Sequence, residues 1–220
     1  MLILSHRGYH VQAPENTMAS FEQAVAMGVD GIETDIRMSA DGLAVLFHDR
    51  LAPNGEKVSA LTRAELEQLV GHAIPTVEEA VECFDGVLWN LEMKTQAVVD
   101  STAAVVRKYG GPRRFLVSSF WHPVVERVSQ LVDVECALLV AHRPLDDAWM
   151  PALQGRSPRV RTIVWNFETV DESILEESAS RGLRNYVYGA QTPDEHRLAA
   201  RWGIDGIITD RPEYLSHLDP

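Results

Sequence analysis

Short apolar runs alternate along the chain with longer segments in which apolar residues recur at helical spacing. The runs predict strands over Leu2–Ser5, Gly31–Ile36, Val87–Met93, Phe115–Ser118, Cys136–Val140, Ile163–Asn166, Tyr186–Tyr188 and Gly206–Ile208. The segments between them carry helix signals. Asn16 is placed to cap a helix whose Phe21, Ala24 and Val25 share a face and which stops at Gly28. Thr76-x-x-Glu79, Thr169-x-x-Glu172 and Thr192-Pro193-Asp194-Glu195 are capping boxes, the last with proline at the first helical position. The helix from Asp171 ends at Gly182. Eight such strand–helix units in 220 residues predict an α/β fold, a (β/α)8 TIM barrel, with residues 1–220 as a single domain. An open doubly wound sheet is the alternative, because periodicity does not distinguish an open parallel sheet from a closed one.

An internal echo favours the ring. Gly28-Val29-Asp30-Gly31-Ile32-Glu33-Thr34-Asp35 recurs as Gly203-Ile204-Asp205-Gly206-Ile207-Ile208-Thr209-Asp210, each copy leaving a helix and entering a strand. A further apolar run, Leu43–Phe47, follows the turn signal Ser39-Ala40-Asp41-Gly42 and predicts a hairpin arm outside the parallel count. Beyond it, Ala52–Ala73 has no strand. Pro53-Asn54-Gly55 reads as a turn and Thr62 as the cap of a short helix, so residues 43–75 form a small hairpin and loop insertion, a rim or lid.

Hydrophobic content of 45% and charged content of 24% suit a globular protein. A net charge of −12 argues against nucleic acid and anionic membrane surfaces as partners, so a phosphate ligand has to be met by a local positive site. Cys83 and Cys136 belong to no metal or redox motif, Met1–Leu4 is too short for a signal core, and no apolar run reaches membrane-spanning length. A reduced, cytoplasmic protein without integral membrane contact is the expectation.

The chemistry concentrates at predicted strand ends, where barrels of this kind build their sites. Glu33 and Asp35, two apart on a strand, point to one face, and so do Glu92 and Lys94. Paired carboxylates aimed into one space call for a cation or a proton. The hairpin returns His48 beside them, opposite Glu33 if the loop is 39–42 and opposite Asp35 if it is 41–42. The first strand ends in His6-Arg7-Gly8, the fourth in Ser119-Phe120 and the last in Thr209-Asp210. Glu33, Asp35 and Glu92 offer the hard oxygen ligands that suit Mg²⁺ or Ca²⁺ better than zinc. Arg7 and Lys94 offer donors to a phosphate.

His6-Arg7-Gly8, Pro14-Glu15-Asn16-Thr17, Glu33-x-Asp35, Asp41-Gly42, His48-Asp49, Glu92-x-Lys94, Ser119-Phe120 and Thr209-Asp210 stand together in one order. In this the chain resembles the glycerophosphodiester phosphodiesterases from His6 to about Pro212. The resemblance implies a barrel, a divalent cation, and hydrolysis of a small-molecule glycerophosphodiester to an alcohol and glycerol 3-phosphate. It matches Glu33, Asp35 and Glu92 to the metal ligands, His6 and His48 to the general acid and base, and Arg7 and Lys94 to the phosphate contacts. The chain departs from the family in a short linker after His48-Asp49. It also has Tyr188-Gly189-Ala190-Gln191 where the family shows Trp-Thr-Val-Asn.

Outside the motifs, Glu15 and Asn16 are credited with shaping the His6 loop, and Asp205 and Asp210 with organising the closing strand. Trp121, His122 and His142 either line the mouth or sit in exposed loops. His10, His72, His196 and His217 are expected at the surface. A metal-dependent barrel isomerase or lyase acting on a phosphorylated small molecule, and a non-catalytic glycerophosphodiester-binding protein, are the alternatives.

Overall fold

The computed structural model describes residues 1–144 and 157–215. Among these, nine strands follow in chain order: β1 (Leu2–His6), β2 (Gly31–Met38), β3 (Ala44–Leu46), β4 (Leu88–Met93), β5 (Arg114–Ser119), β6 (Glu135–Val140), β7 (Val160–Asn166), β8 (Arg184–Tyr188) and β9 (Gly206–Thr209). All but β3 pair in parallel. β1 pairs with β2, placing Leu4 beside Gly31, and also with β9, placing Leu2 beside Gly206, so the sheet closes. The fold is a (β/α)8 barrel, and the open-sheet alternative is excluded by that double pairing. β7 begins at Val160, earlier than the apolar run suggested, because the exposed Arg161 between buried Val160 and Thr162 hides the alternation.

Alternation along each strand divides the core into two layers. Inward side chains form a plug of Leu4, Leu88, Leu116, Ala137, Val164, Tyr186 and Ile208. Outward ones, among them Ile32, Trp89, Val117 and Leu138, pack on the helices. There Phe21 meets the Trp89 ring edge-on at 5.3 Å, and each buried side chain of this size contributes about 2 to 3 kcal/mol.

The described helices are α1 (Met18–Ala26), α2 (Arg63–Val70), α3 (Val77–Cys83), α4 (Val99–Tyr109), α5 (His122–Ser129), α6 (Glu172–Ser180) and α7 (Pro193–Arg201). The capping boxes of Thr62, Thr76 and Thr192 all form. Two expectations are corrected. α1 is capped by Thr17, which closes a box with Ser20, and Val25 is exposed. α6 is capped by Asp171, which accepts from the Ile174 amide, and not by Thr169. The aspartate stands one residue before the helix, where its short carboxylate reaches the orphan amide.

The insertion is a small domain-like patch with its own apolar cluster of Val45, Ala52, Val58, Leu61, Leu66 and Ile74. Its hairpin adopts neither expected register. Ile36 lies beside Leu46 and Met38 beside Ala44, and the Ser39 amide donates to Leu43, which leaves Ala40-Asp41-Gly42 as a three-residue loop. Gly42 has φ +78°, the left-handed residue that such a loop requires.

Candidate active site

β1 stops early, and this organises the mouth of the barrel. After His6 the chain turns away through Arg7 (φ +55°) and Gly8 (φ +74°). A Cβ at Gly8 would lie 2.5 Å from Ser20 Oγ, so α1 can approach only a glycine. The Arg7 amide still donates to the Glu33 carbonyl at 2.8 Å, but beyond that point the edge of β2 is free. β3 takes it over, and the Phe47 amide donates to the Asp35 carbonyl at 2.9 Å. One edge of β2 therefore meets His6-Arg7 and then Phe47-His48.

The inward alternation that places Leu4, Gly31 and Leu88 in the plug continues upward to His6, to Glu33 and Asp35, and to Glu92. Glu33, Asp35 and Glu92 are all buried, and each offers an oxygen within 4.8 Å of those of the others. Lys94 Nζ bridges Asp35 Oδ1 at 2.9 Å and Glu92 Oε1 at 2.5 Å. Arg7 Nε lies 3.1 Å from Asp35 Oδ2, and its Nη1 donates to Glu15 at 2.9 Å. Asn16, held at φ +57°, donates from Nδ2 to Asp35 Oδ2 at 2.9 Å and accepts the Thr34 hydroxyl proton at 2.6 Å.

These contacts separate the carboxylates electrostatically. Burial pushes the Asp35 carboxyl up, but Lys94, Arg7 and Asn16 outweigh it and hold it below the usual range. Burial, then Asp35 and Glu92, raise Glu33 well above that range. Burial also raises Glu92, against the pull of Lys94. Full ionisation of the three carboxylates would leave one negative charge over beside Arg7 and Lys94, and Glu33 is the carboxyl held back from ionising. Glu33 Oε1 is buried without a hydrogen-bond partner. An unpartnered hard oxygen beside two others fits a divalent cation.

His6 lies near this group, Nε2 being 3.7 Å from Glu33 Oε2. His48 Nδ1 faces Asp49 at 2.9 Å, and Arg37 Nε donates to the His48 carbonyl at 2.8 Å. A cavity of about 190 Å³ joins all but one of the expected site residues. His6, Arg7, Glu33, His48, Glu92 and Lys94 line it with Phe120, Leu139, Tyr188 and Ile208, while Asp35 lies behind the Lys94 ammonium. Phe120 meets the Tyr188 ring edge-on at 5.9 Å, giving the cavity an aromatic wall, with Lys94 Nζ 5.9 Å from the Phe120 ring centre. Trp121, His122 and His142 are not among the lining residues, and Trp121 is exposed.

Other residues differ from expectation. Asp210 does more than organise its strand, because its Oδ1 lies 2.6 Å from His6 Nδ1 and 2.9 Å from His10 Nε2. His10, expected at the surface, is thus drawn to the site. His196 is fully buried and contacts Thr209 Oγ1 at 2.6 Å. His217 lies outside the described residues. Nothing local signals these contacts, since the partners of His6 and His10 are about 200 residues away.

A closed parallel barrel that gathers buried carboxylates, two imidazoles and two cationic side chains round one cavity defines an enzyme for phosphate esters. The profile of the glycerophosphoryl diester phosphodiesterase family matches residues 6–214, and the chain belongs to that family. It is a phosphoric diester hydrolase acting on glycerophosphodiesters. A glycerophosphodiester phosphodiesterase of Caldanaerobacter subterraneus subsp. tengcongensis is 28% identical, over 99% of this chain and 97% of its own length. The crystal structure of a glycerophosphodiester phosphodiesterase from Agrobacterium tumefaciens is similar with a TM-score of 0.80 and 26% identity, covering 99% of this chain and all of that one. An Oleispira antarctica phosphodiesterase in complex with its product sn-glycerol-3-phosphate shares the fold, with a TM-score of 0.82 at 22% identity over 97% of this chain and 94% of that one.

Proposed function

We propose that the protein hydrolyses a small glycerophosphodiester to an alcohol and glycerol 3-phosphate with a divalent cation, Mg²⁺ or Ca²⁺, held by Glu33, Asp35 and Glu92. The observation that carries this reading is the carboxylate trio, with the charge its full ionisation would leave over and the unpartnered Glu33 oxygen at the mouth of the barrel. When bound, the cation supplies Lewis-acid polarisation of a phosphate oxygen. Arg7 and Lys94 donate hydrogen bonds to the phosphate and offset its charge. His6 and His48 approach the cavity from neighbouring positions along one edge of β2. One accepts the proton of the attacking oxygen and the other delivers a proton to the leaving alkoxide. Phe120, Tyr188 and Leu139 give the alcohol an apolar wall and limit water at the reacting centre.

The test is release of glycerol 3-phosphate from glycerophosphocholine and a panel of other glycerophosphodiesters, with Mg²⁺, with Ca²⁺ and with EDTA. Release stops with EDTA and returns with one of the two ions. His48→Ala lowers kcat on the order of 100-fold or more while the protein stays folded. Release indifferent to EDTA overturns the cation reading, and no release from any diester overturns the substrate reading.

A further inference from the structure

Asp210 and His10 belong neither to the carboxylate trio nor to the residues lining the cavity, yet both are arranged round His6. Asp210 follows β9, whose Thr209 lies beside Ser5 of β1, so barrel closure sets Asp210 next to His6. Its Oδ1 is 2.6 Å from His6 Nδ1 and 2.9 Å from His10 Nε2. A carboxylate only accepts, so both ring nitrogens donate to one oxygen. His6 then carries its proton on Nδ1, and Nε2, the nitrogen nearer Glu33, faces the cavity. The His10 ring stands at 72° to that of His6 with centroids 6.5 Å apart, and it approaches Asp210 from the loop that follows Gly8.

The turn that carries Asp210 is itself braced. Thr209 Oγ1 accepts from the Arg211 amide at 2.9 Å and contacts His196 Nε2, from α7, at 2.6 Å. The His196 ring is packed edge-on against Tyr214 at 5.3 Å. Burial works against the Asp210 charge, but the two imidazoles outweigh it and hold the carboxyl far below its ordinary value. His6, His10 and Asp210 also have the composition of a transition-metal triad, with candidate ligand atoms within 4.8 Å of one another. Two donors converging on one carboxylate oxygen is instead the geometry of a hydrogen-bonded orienting unit.

We propose that Asp210 and His10 are positioning residues for His6: Asp210 keeps the proton on Nδ1 and turns Nε2 to the cavity, and His10 holds Asp210 in place. The proposal rests on the reading of His6 as acid or base. It makes His10 a functional residue of this chain that acts through Asp210 without meeting substrate.

The experiment pairs kinetics with a spectrum that does not depend on turnover. Long-range ¹H–¹⁵N correlation of the imidazoles shows, in the neutral form of His6, the proton on Nδ1 in the wild type and a mixture of tautomers in Asp210→Asn. Asp210→Asn lowers kcat on the order of 100-fold with KM changed less than about two-fold. His10→Phe lowers kcat about ten-fold, and His10→Gln, whose carboxamide keeps an N–H donor, recovers most of it. A wild-type spectrum with the proton on Nε2 overturns the proposal. So does an unchanged kcat in both Asp210→Asn and His10→Phe when His6→Gln abolishes turnover. Unchanged turnover in His6→Gln overturns the acid–base reading of His6, and the spectrum still decides the geometry by itself.

Discussion

Glu33 is the side chain on which the electrostatics of the site turn. It is buried with one oxygen unpartnered, and its carboxyl is held well above the ordinary value of 4.5. A folded-state pKa above the unfolded one means that the folded cation-free protein keeps a proton the unfolded chain would release. The resulting cost is complete above the folded pKa and fades as pH falls towards 4.5. Cation-free protein therefore gains thermal stability as pH falls from the alkaline side towards 4.5, and Glu33→Gln flattens this slope. His10, raised by its hydrogen bond to Asp210, adds stability of the same sign, so the diagnostic is the difference between wild type and variant in a calorimetric pH series. Asp35 and Asp210, held low, withdraw stability only below about 3.8, outside that window. Asn16 is the second residue with a clear consequence. Replacing it with alanine loses the hydrogen bonds to Asp35 and Thr34 and the side chain best suited to φ +57°. The expected cost is about 2 to 3 kcal/mol in a urea melt, with divalent-cation affinity reduced roughly ten-fold in calorimetric titration. The side-chain pairs Glu33/Asp35 and Glu92/Lys94 are legible because alternation on a strand is local. Asn16 is not, because its partner lies 19 positions on, beyond α1 and on β2.

At the level of elements, the hairpin is the piece that brings His48 in. Two local rules act on it, the demand for a left-handed residue in its loop and the need to cover the β2 edge that β1 abandons. Gly42 has no heavy atom within 4 Å of where a Cβ would stand, so Gly42→Ala has room and suffers only from its φ of +78°. The expected loss is about 1 kcal/mol of stability in a denaturant melt, with cation affinity unchanged because the loop lies beyond the end of β2, past Glu33 and Asp35, and Glu92 stands on β4. The loop residues announce a turn, but its length depends on how β3 meets the edge of β2. The true register falls midway between the two that the turn signal allowed. In the same way, the threonine caps of α2, α3 and α7 are visible as short-range pairs. The cap of α6 is decided by which of Thr169 and Asp171 the chain brings to the orphan amides.

For the whole molecule, closure of the ring converts eight separate strand ends into one cavity. Closure is tight where β9 joins β8: a Cβ at Gly206 would lie 2.8 Å from the Tyr186 ring, which is buried and has nowhere to move. Gly206→Ala is expected to cost about 1 to 3 kcal/mol, read as a lower urea midpoint with an unchanged m value. A cation that binds only the closed barrel stabilises all of it. At a free Mg²⁺ or Ca²⁺ concentration of about 100 Kd the gain is about 2.7 kcal/mol, seen as a higher Tm that EDTA reverses. By itself the sequence determined the alternation of strands and helices, the inward pairing of Glu33 with Asp35 and of Glu92 with Lys94, and the family motifs. All of these are properties of residues close together along the chain. Tertiary structure alone decided which strands are neighbours, and so the meeting of His6 and His10 with Asp210, the burial of His196 under the closing strand, and the hairpin register. Those contacts depend on where the ring closes and where β1 ends, and no short stretch of sequence contains that geometry.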